Sequence, residues 1–136
     1  MIQINERSMV PIYEQIVQAF KELIAKGALR EGDKIPSVRE LSAQLLINHN
    51  TVAKAYQELE RQGVVASQRG KGAYVAKPAE EPGMERERVR QLRAELRRIA
   101  VEAHHLGIGS RQLADWFGEE IQRYGRDEHA DRPQST

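Results

Sequence analysis

The stretch Ile35-Pro36-Ser37-Val38-Arg39-Glu40-Leu41, followed shortly by Ile47-Asn48-His49-Asn50-Thr51, constrains the fold more than any other part of the chain. Pro36 biases Ile35 toward an extended conformation. Ser37 and Glu40 form a capping box: the Ser37 hydroxyl accepts from the Glu40 backbone N–H, and the Glu40 carboxylate reaches back to the Ser37 N–H. A short helix therefore starts at Val38 and buries Leu41 and Leu45. It ends by Leu46, because the next residues include two asparagines, with Asn48 an N-cap for another helix. In that helix Val52, Ala55, Tyr56 and Leu59 make the buried stripe, Gly63 suits the C-terminal cap, and His49, Asn50, Lys54 and Arg61 occupy the other face. Two helices joined by a tight turn, the second polar on its outer face near its N-terminus, is the arrangement that places a recognition helix in a major groove.

The flanking segments complete a small module. Upstream, Pro11 suits the first turn of a helix, and Ile12, Tyr13, Ile16, Val17, Phe20, Leu23 and Ile24 follow at helical spacing until Gly27 stops them. Arg30 to Lys34 reads as a loop. Downstream, the β-prone runs Val64 to Gln68 and Ala73 to Ala76 are separated by Arg69-Gly70-Lys71-Gly72, a hairpin turn with a basic tip.

Beyond Lys77 and Pro78 the composition changes. Residues 1–78 carry eleven Lys and Arg against eight Asp and Glu, whereas residues 79–136 carry ten against twelve and contain no lysine. This places a boundary between a basic unit, 1–78, and a second unit, 79–136. After a loose connector from Pro78 to Gly83, the apolar positions Val89, Leu92, Leu96, Ile99, Ala103 and Leu106 are spaced by 3, 4, 3, 4 and 3. Such a seam seeks a partner helix. Gly107 and Gly109 break it, Ser110 caps a further helix, and Leu113, Trp116, Phe117, Ile121 and Tyr124 form that helix's apolar face. The tail from Gly125 to Thr136 is polar and reads as frayed. The expected fold is mainly α with a small β-hairpin, a winged helix-turn-helix followed by a two-helix region.

Several function classes are excluded or disfavoured. A chain of 136 residues has no room for a large catalytic domain beside this module. There is no cysteine, hence no disulfide, thiolate metal site or sulfur nucleophile. No apolar run approaches the ~20 residues of a spanning helix, and Met1 to Met9 lacks the apolar core of a signal peptide, so the expectation is a cytoplasmic protein without membrane attachment. His104 and His105 are neighbours on a helix, about 100° apart, poorly placed to share a metal. Ser110 lacks the Gly-x-Ser-x-Gly turn of a hydrolase nucleophile. Trp116, Phe117 and Tyr124 could line an effector pocket, but aromatics at helical spacing read more simply as core. Nothing here calls for a cofactor, and no small-molecule effector is legible.

The ordered set Pro11-Ile12-Tyr13-Glu14-Gln15-Ile16, Lys34 to Leu41, Asn50 to Tyr56, Leu59 to Gly63 and Gly70 to Val75 resembles the GntR transcription regulators across essentially all of residues 10–77. Members usually carry a long effector-binding or aminotransferase-like domain after the winged helix. Residues 79–136 are too few for one, and two helices in its place look like the small YtrA subgroup. The resemblance implies a homodimeric repressor whose C-terminal helices pair, acting on an inverted-repeat operator of its own operon or of a transporter operon.

It also implies site residues. Arg39 matches the family's backbone- and base-contacting arginine; an arginine just inside a helix N-terminus can fork onto phosphate or guanine O6 and N7, the alternative being an ion pair with Glu40. Ser37 lies beside it. On the recognition helix Asn50 can pair with adenine, Lys54 can reach guanine acceptors or phosphate, and Thr51 can bond phosphate or act only as a local cap. His49 departs from the arginine common in the family: a neutral imidazole is a shorter, weaker phosphate partner, so binding should strengthen as pH falls. Arg69, Gly70, Lys71 and Gly72 would lie toward the minor groove, where glycine permits close backbone approach. Val89, Leu92, Leu96, Ile99, Ala103, Leu106, Leu113, Trp116, Phe117 and Ile121 are the candidate dimerisation residues. Two other readings stand beside this one: C-terminal helices that recruit a different protein, and a small ligand or metal sensor.

Overall fold

The computed structural model describes residues 2–77 and 82–124, with the side chains of 82–85 outside the description. The chain divides into two compact units, Met1–Pro78 and Ala79–Thr136.

The first unit contains α1 (Ile12–Ala25), β1 (Lys34–Ile35), α2 (Val38–Leu45), α3 (His49–Arg61), β2 (Val65–Gln68) and β3 (Gly72–Val75). The helices form where the apolar spacing puts them, and α1 and α3 pack on each other through Ile16, Val17 and Phe20 on one side and Val52, Ala55, Tyr56 and Leu59 on the other. Phe20 and Tyr56 meet edge to face, with ring centroids 5.8 Å apart. Leu41 of α2 and Ile35, Val65, Ala73 and Val75 of the strands close the same core. Burying a side chain such as Phe20, Ile16 or Leu59 completely contributes roughly 1.5–3 kcal/mol each. Upstream of α1 the chain is pinned by Gln15, whose carboxamide accepts from the Asn5 N–H at 2.8 Å and donates to the Asn5 and Val10 carbonyls, both at 2.9 Å. Pro11 occupies the N-cap position of α1 rather than its first turn.

The strands form a three-stranded antiparallel sheet in the order β1-β3-β2, where sequence patterning gave only the β2–β3 hairpin. Lys34 faces Tyr74 and Ile35 faces Ala73, while Val65 faces Val75 and Gln68 faces Gly72. The Gly32 N–H donates to the Val75 carbonyl and the Val75 N–H to that of Asp33, so the Arg30 to Lys34 loop leads straight into the ladder.

In the second unit, α4 (Pro82–His105) starts earlier than the apolar seam suggests. Pro82 and Gly83, expected within a loose connector, are helical, since proline's missing N–H goes unused at a helix start. The remainder of that connector, residues 78–81, and the tail from Gly125 to Thr136 lie outside the described residues. At the other end the Ile108 N–H reaches back to the Ala103 carbonyl at 2.9 Å and the Gly107 N–H to that of His104 at 3.1 Å, closing α4. In α5 (Ser110–Tyr124), Ser110 is the first helical residue rather than the cap; the Gly109 carbonyl accepts the helix's opening bond from the Leu113 N–H at 3.0 Å. No helix among the described residues is long and apolar enough to cross a membrane.

Candidate nucleic-acid interface

The turn between α2 and α3 is built from both sides. The Ser37 hydroxyl accepts from the Glu40 N–H at 3.0 Å, opening α2 as the capping motif requires. The Glu40 carboxylate makes no return bond among the described residues, so only half of the box forms. Leu46 then turns the chain in the left-handed conformation, φ 55° and ψ 45°, the one non-glycine residue among those described with positive φ. Asn48 caps α3, its side-chain oxygen accepting from the Asn50 N–H at 2.7 Å. Cap duty therefore falls to Asn48 and leaves the Thr51 hydroxyl without it. Behind the turn, the Tyr56 hydroxyl donates to the Pro36 carbonyl at 2.6 Å. Burial holds that phenol neutral by pushing its pKa up, with the Glu40 carboxylate adding to the effect.

These bonds fix the polar residues singled out by sequence. Ser37 and Arg39 stand exposed in the opening turn of α2, and His49, Asn50 and Lys54 are exposed in the first two turns of α3. Thr51 is half-buried, on the edge of that face rather than on its crest. Arg39 forms no ion pair with Glu40, and neither it nor Lys54 has a carboxylate partner among the described residues. Arg61, at the far end of α3, differs: its guanidinium binds Glu58 at 2.5 Å and 3.0 Å. The Arg61 and Gln62 hydrogen bonds hold the Glu58 carboxyl down to about 2. With no acidic residue in the first turn of α3, the positive end of the helix dipole stays unopposed there. The basic character of the helix thus concentrates at its N-terminal half.

The hairpin brings Arg69, Gly70, Lys71 and Gly72 together at an exposed tip, closed by the Lys71 N–H on the Gln68 carbonyl at 2.9 Å. The Tyr74 hydroxyl donates to the Lys71 carbonyl, also at 2.9 Å, bracing the tip from below. At φ 92°, Gly72 holds a conformation that side chains with a Cβ rarely adopt, and such an atom would stand 3.2 Å from Lys34 Cε. The Lys34 side chain therefore runs alongside Gly72 and brings a further cation to the wing. Sequence reading missed it because only the β1–β3 pairing brings residue 34 to residue 72. Tyr13 was missed because only the packing of α1 on α3 brings its ring to Lys54, whose ammonium stands 4.1 Å from the ring centroid.

The second unit presents a different chemistry. Val89, Leu92, Leu96 and Ile99 are exposed along α4, as is Leu106 just past its end, and only Ala103 of that seam is buried. Trp116 and Phe117, read as core aromatics from their spacing, are 46% and 48% exposed, and Ile121 also 48%. Leu113 is half-buried, and no residue of α5 is buried within the single chain. Among the described residues nothing covers these aromatics fully. The His104 and His105 rings lie 5.8 Å apart, and no group of His, Cys, Asp or Glu among the described residues is arranged to hold a metal ion.

Comparison with known proteins agrees with this geometry. Residues 12–75 match the family described as bacterial regulatory proteins, gntR family. The HTH-type transcriptional repressor YtrA of Bacillus subtilis (strain 168) is 44% identical over 119 residues, which cover 88% of this chain and 91% of the relative. Among solved structures, a transcriptional antiterminator from Listeria monocytogenes EGD-e superposes with a TM-score of 0.84 at 38% identity, covering 93% of this chain and 94% of that one. The GntR-family transcription factor YtrA from Sulfolobus acidocaldarius gives 0.55 at 34% identity, over 92% of this chain and all of its own. With both relatives named YtrA the match spans almost their whole length and runs past the winged helix into residues 79–136. The protein belongs to the GntR family, in its YtrA-like branch, and is a DNA-binding transcriptional regulator.

Proposed function

We propose that the protein is a homodimeric repressor that binds an inverted-repeat operator, with residues 1–78 reading DNA and residues 79–136 joining two copies. The observation that carries the DNA-reading part is the set of cations in the opening turns of α2 and α3 and at the hairpin tip. Arg39, Lys54, Arg69 and Lys71 have no carboxylate partner among the described residues, whereas Arg61 on the same recognition helix is neutralised by Glu58. Unneutralised cations on a capped helix-turn-helix suit phosphates and guanine edges. Ser37 keeps its hydroxyl hydrogen for a phosphate, His49, Asn50 and Thr51 face the bases beside Lys54, and Gly70 and Gly72 let the wing backbone approach the minor groove.

Dimerisation rests on the exposed apolar positions of α4 and α5, a face that water covers poorly and a second copy covers well. Two-fold symmetry then demands a palindromic site. The repressor sense follows the Bacillus subtilis relative YtrA, itself named a transcriptional repressor. Mobility shifts on DNA upstream of the protein's own gene test the reading. The Arg39→Ala, Lys54→Ala double variant should lose the shifted band while keeping its fold, and undiminished binding would refute the site. Light scattering should give a dimer that Leu96→Glu converts to a monomer, and a wild-type monomer at all concentrations would refute self-pairing.

A further inference from the structure

Lys54 is exposed on α3, yet its side chain is not splayed into solvent. Its ammonium stands 4.1 Å from the centroid of the Tyr13 ring, in the first turn of α1. The ring is itself held: half-buried against the core, with its hydroxyl donating to Glu14 Oε1 at 3.2 Å. That hydrogen bond, then the nearby Glu14 charge, and to a lesser degree burial and Glu58, raise the phenol pKa, so the ring stays neutral. An ammonium over an aromatic face spends only that side of its charge, and its N–H donors on the opposite side remain available.

We propose that Tyr13 is a positioning residue for DNA recognition, its ring face holding the Lys54 ammonium ready for the groove before the duplex arrives. The inference rests on Lys54 being a DNA contact, as argued above. Lysine has a four-carbon stem whose rotamer freedom is lost on binding, so an ammonium already parked on a fixed surface binds with less ordering left to do. An aromatic residue at position 13 therefore acts on affinity through position 54, without touching DNA.

The test is a double-mutant cycle on a labelled duplex recovered by selection from a random-sequence library with the full chain. Tyr13→Leu keeps apolar bulk but removes the ring, and should weaken binding by about two- to fivefold. The same change should cost nothing further in a Lys54→Ala background. Tyr13→Phe keeps the ring without the hydroxyl and should bind like wild type, with denaturation midpoints recorded for each variant. Equal losses from Tyr13→Leu with and without Lys54 would overturn the proposal, assigning Tyr13 to packing. A loss in Tyr13→Phe as large as in Tyr13→Leu would overturn it too, assigning the hydroxyl its own contact. Wild-type affinity in Lys54→Ala removes the contact and the proposal with it, while recovery of no preferred duplex refutes the operator reading itself.

Discussion

The Tyr56 hydroxyl donates to the carbonyl of Pro36 at 2.6 Å, bonding the middle of the reading helix to the residue that links β1 to α2. Tyr56 is buried and the bond is part-buried, so losing the hydroxyl would leave the Pro36 carbonyl without its donor. Tyr56→Phe should therefore destabilise the protein by about 1–2 kcal/mol. Urea denaturation at neutral pH measures it, and because the phenol's pKa is raised, wild-type stability should show no loss from this group up to pH 10.

Leu46 is a second point of leverage. It sits at positive φ while 89% exposed, so its side chain gains no burial in return for the strained backbone. Left-handed conformation costs an ordinary residue roughly 1–2 kcal/mol, and asparagine tolerates it better. Leu46→Asn should stabilise the protein by about 0.5–1 kcal/mol, read as a higher denaturation midpoint with unchanged slope.

The wing can be weighed by salt. Arg69 and Lys71 are exposed at the hairpin tip, and each phosphate neutralised adds about 0.9 to the slope of log affinity against log salt. If both meet phosphates, the Arg69→Ala, Lys71→Ala variant should show a slope shallower by about 2. Fluorescence anisotropy across a salt series measures this, and a parallel slope would remove the wing from the interface.

Acid stability depends on Glu58. Its carboxyl titrates near 2 in the folded protein against an ordinary 4.5, so as pH falls below 4.5 the unfolded chain takes up this proton first. The contribution is complete above pH 4.5 and is lost as pH drops toward 2. The Arg61 side chain is 68% exposed and that of Glu58 28%, so solvent screening keeps the contribution below about 1 kcal/mol. Glu58→Gln should flatten this part of the pH profile, lowering stability at pH 7 by less than about 1 kcal/mol and leaving it nearly unchanged at pH 2.

How much of this was legible in sequence divides along the range of the interactions. The starts of α2 and α3 were readable because Ser37 and Asn48 act on backbone N–H groups two or three residues away. The strand β1 was not, since two residues carry no periodicity and exist as a strand only through Tyr74 and Ala73. The polar residues of the site could be named, but not that Lys54 rests on Tyr13, forty-one positions earlier, or that Lys34 underlies Gly72. Trp116 and Phe117 misled because helical spacing reports an apolar face, not what covers it.

The Tyr56 bond and the β1–β3 pairing have a joint effect on what the protein can accept. Together they tie the recognition helix, the start of α2 and the hairpin to one core, so the gap between helix and wing behaves like the jaws of a locked calliper. The duplex then supplies the adjustment. If helix and wing grip neighbouring grooves as proposed, base steps between them that bend or narrow easily will be favoured although no side chain reaches them, and their stiffness becomes part of the sequence being read.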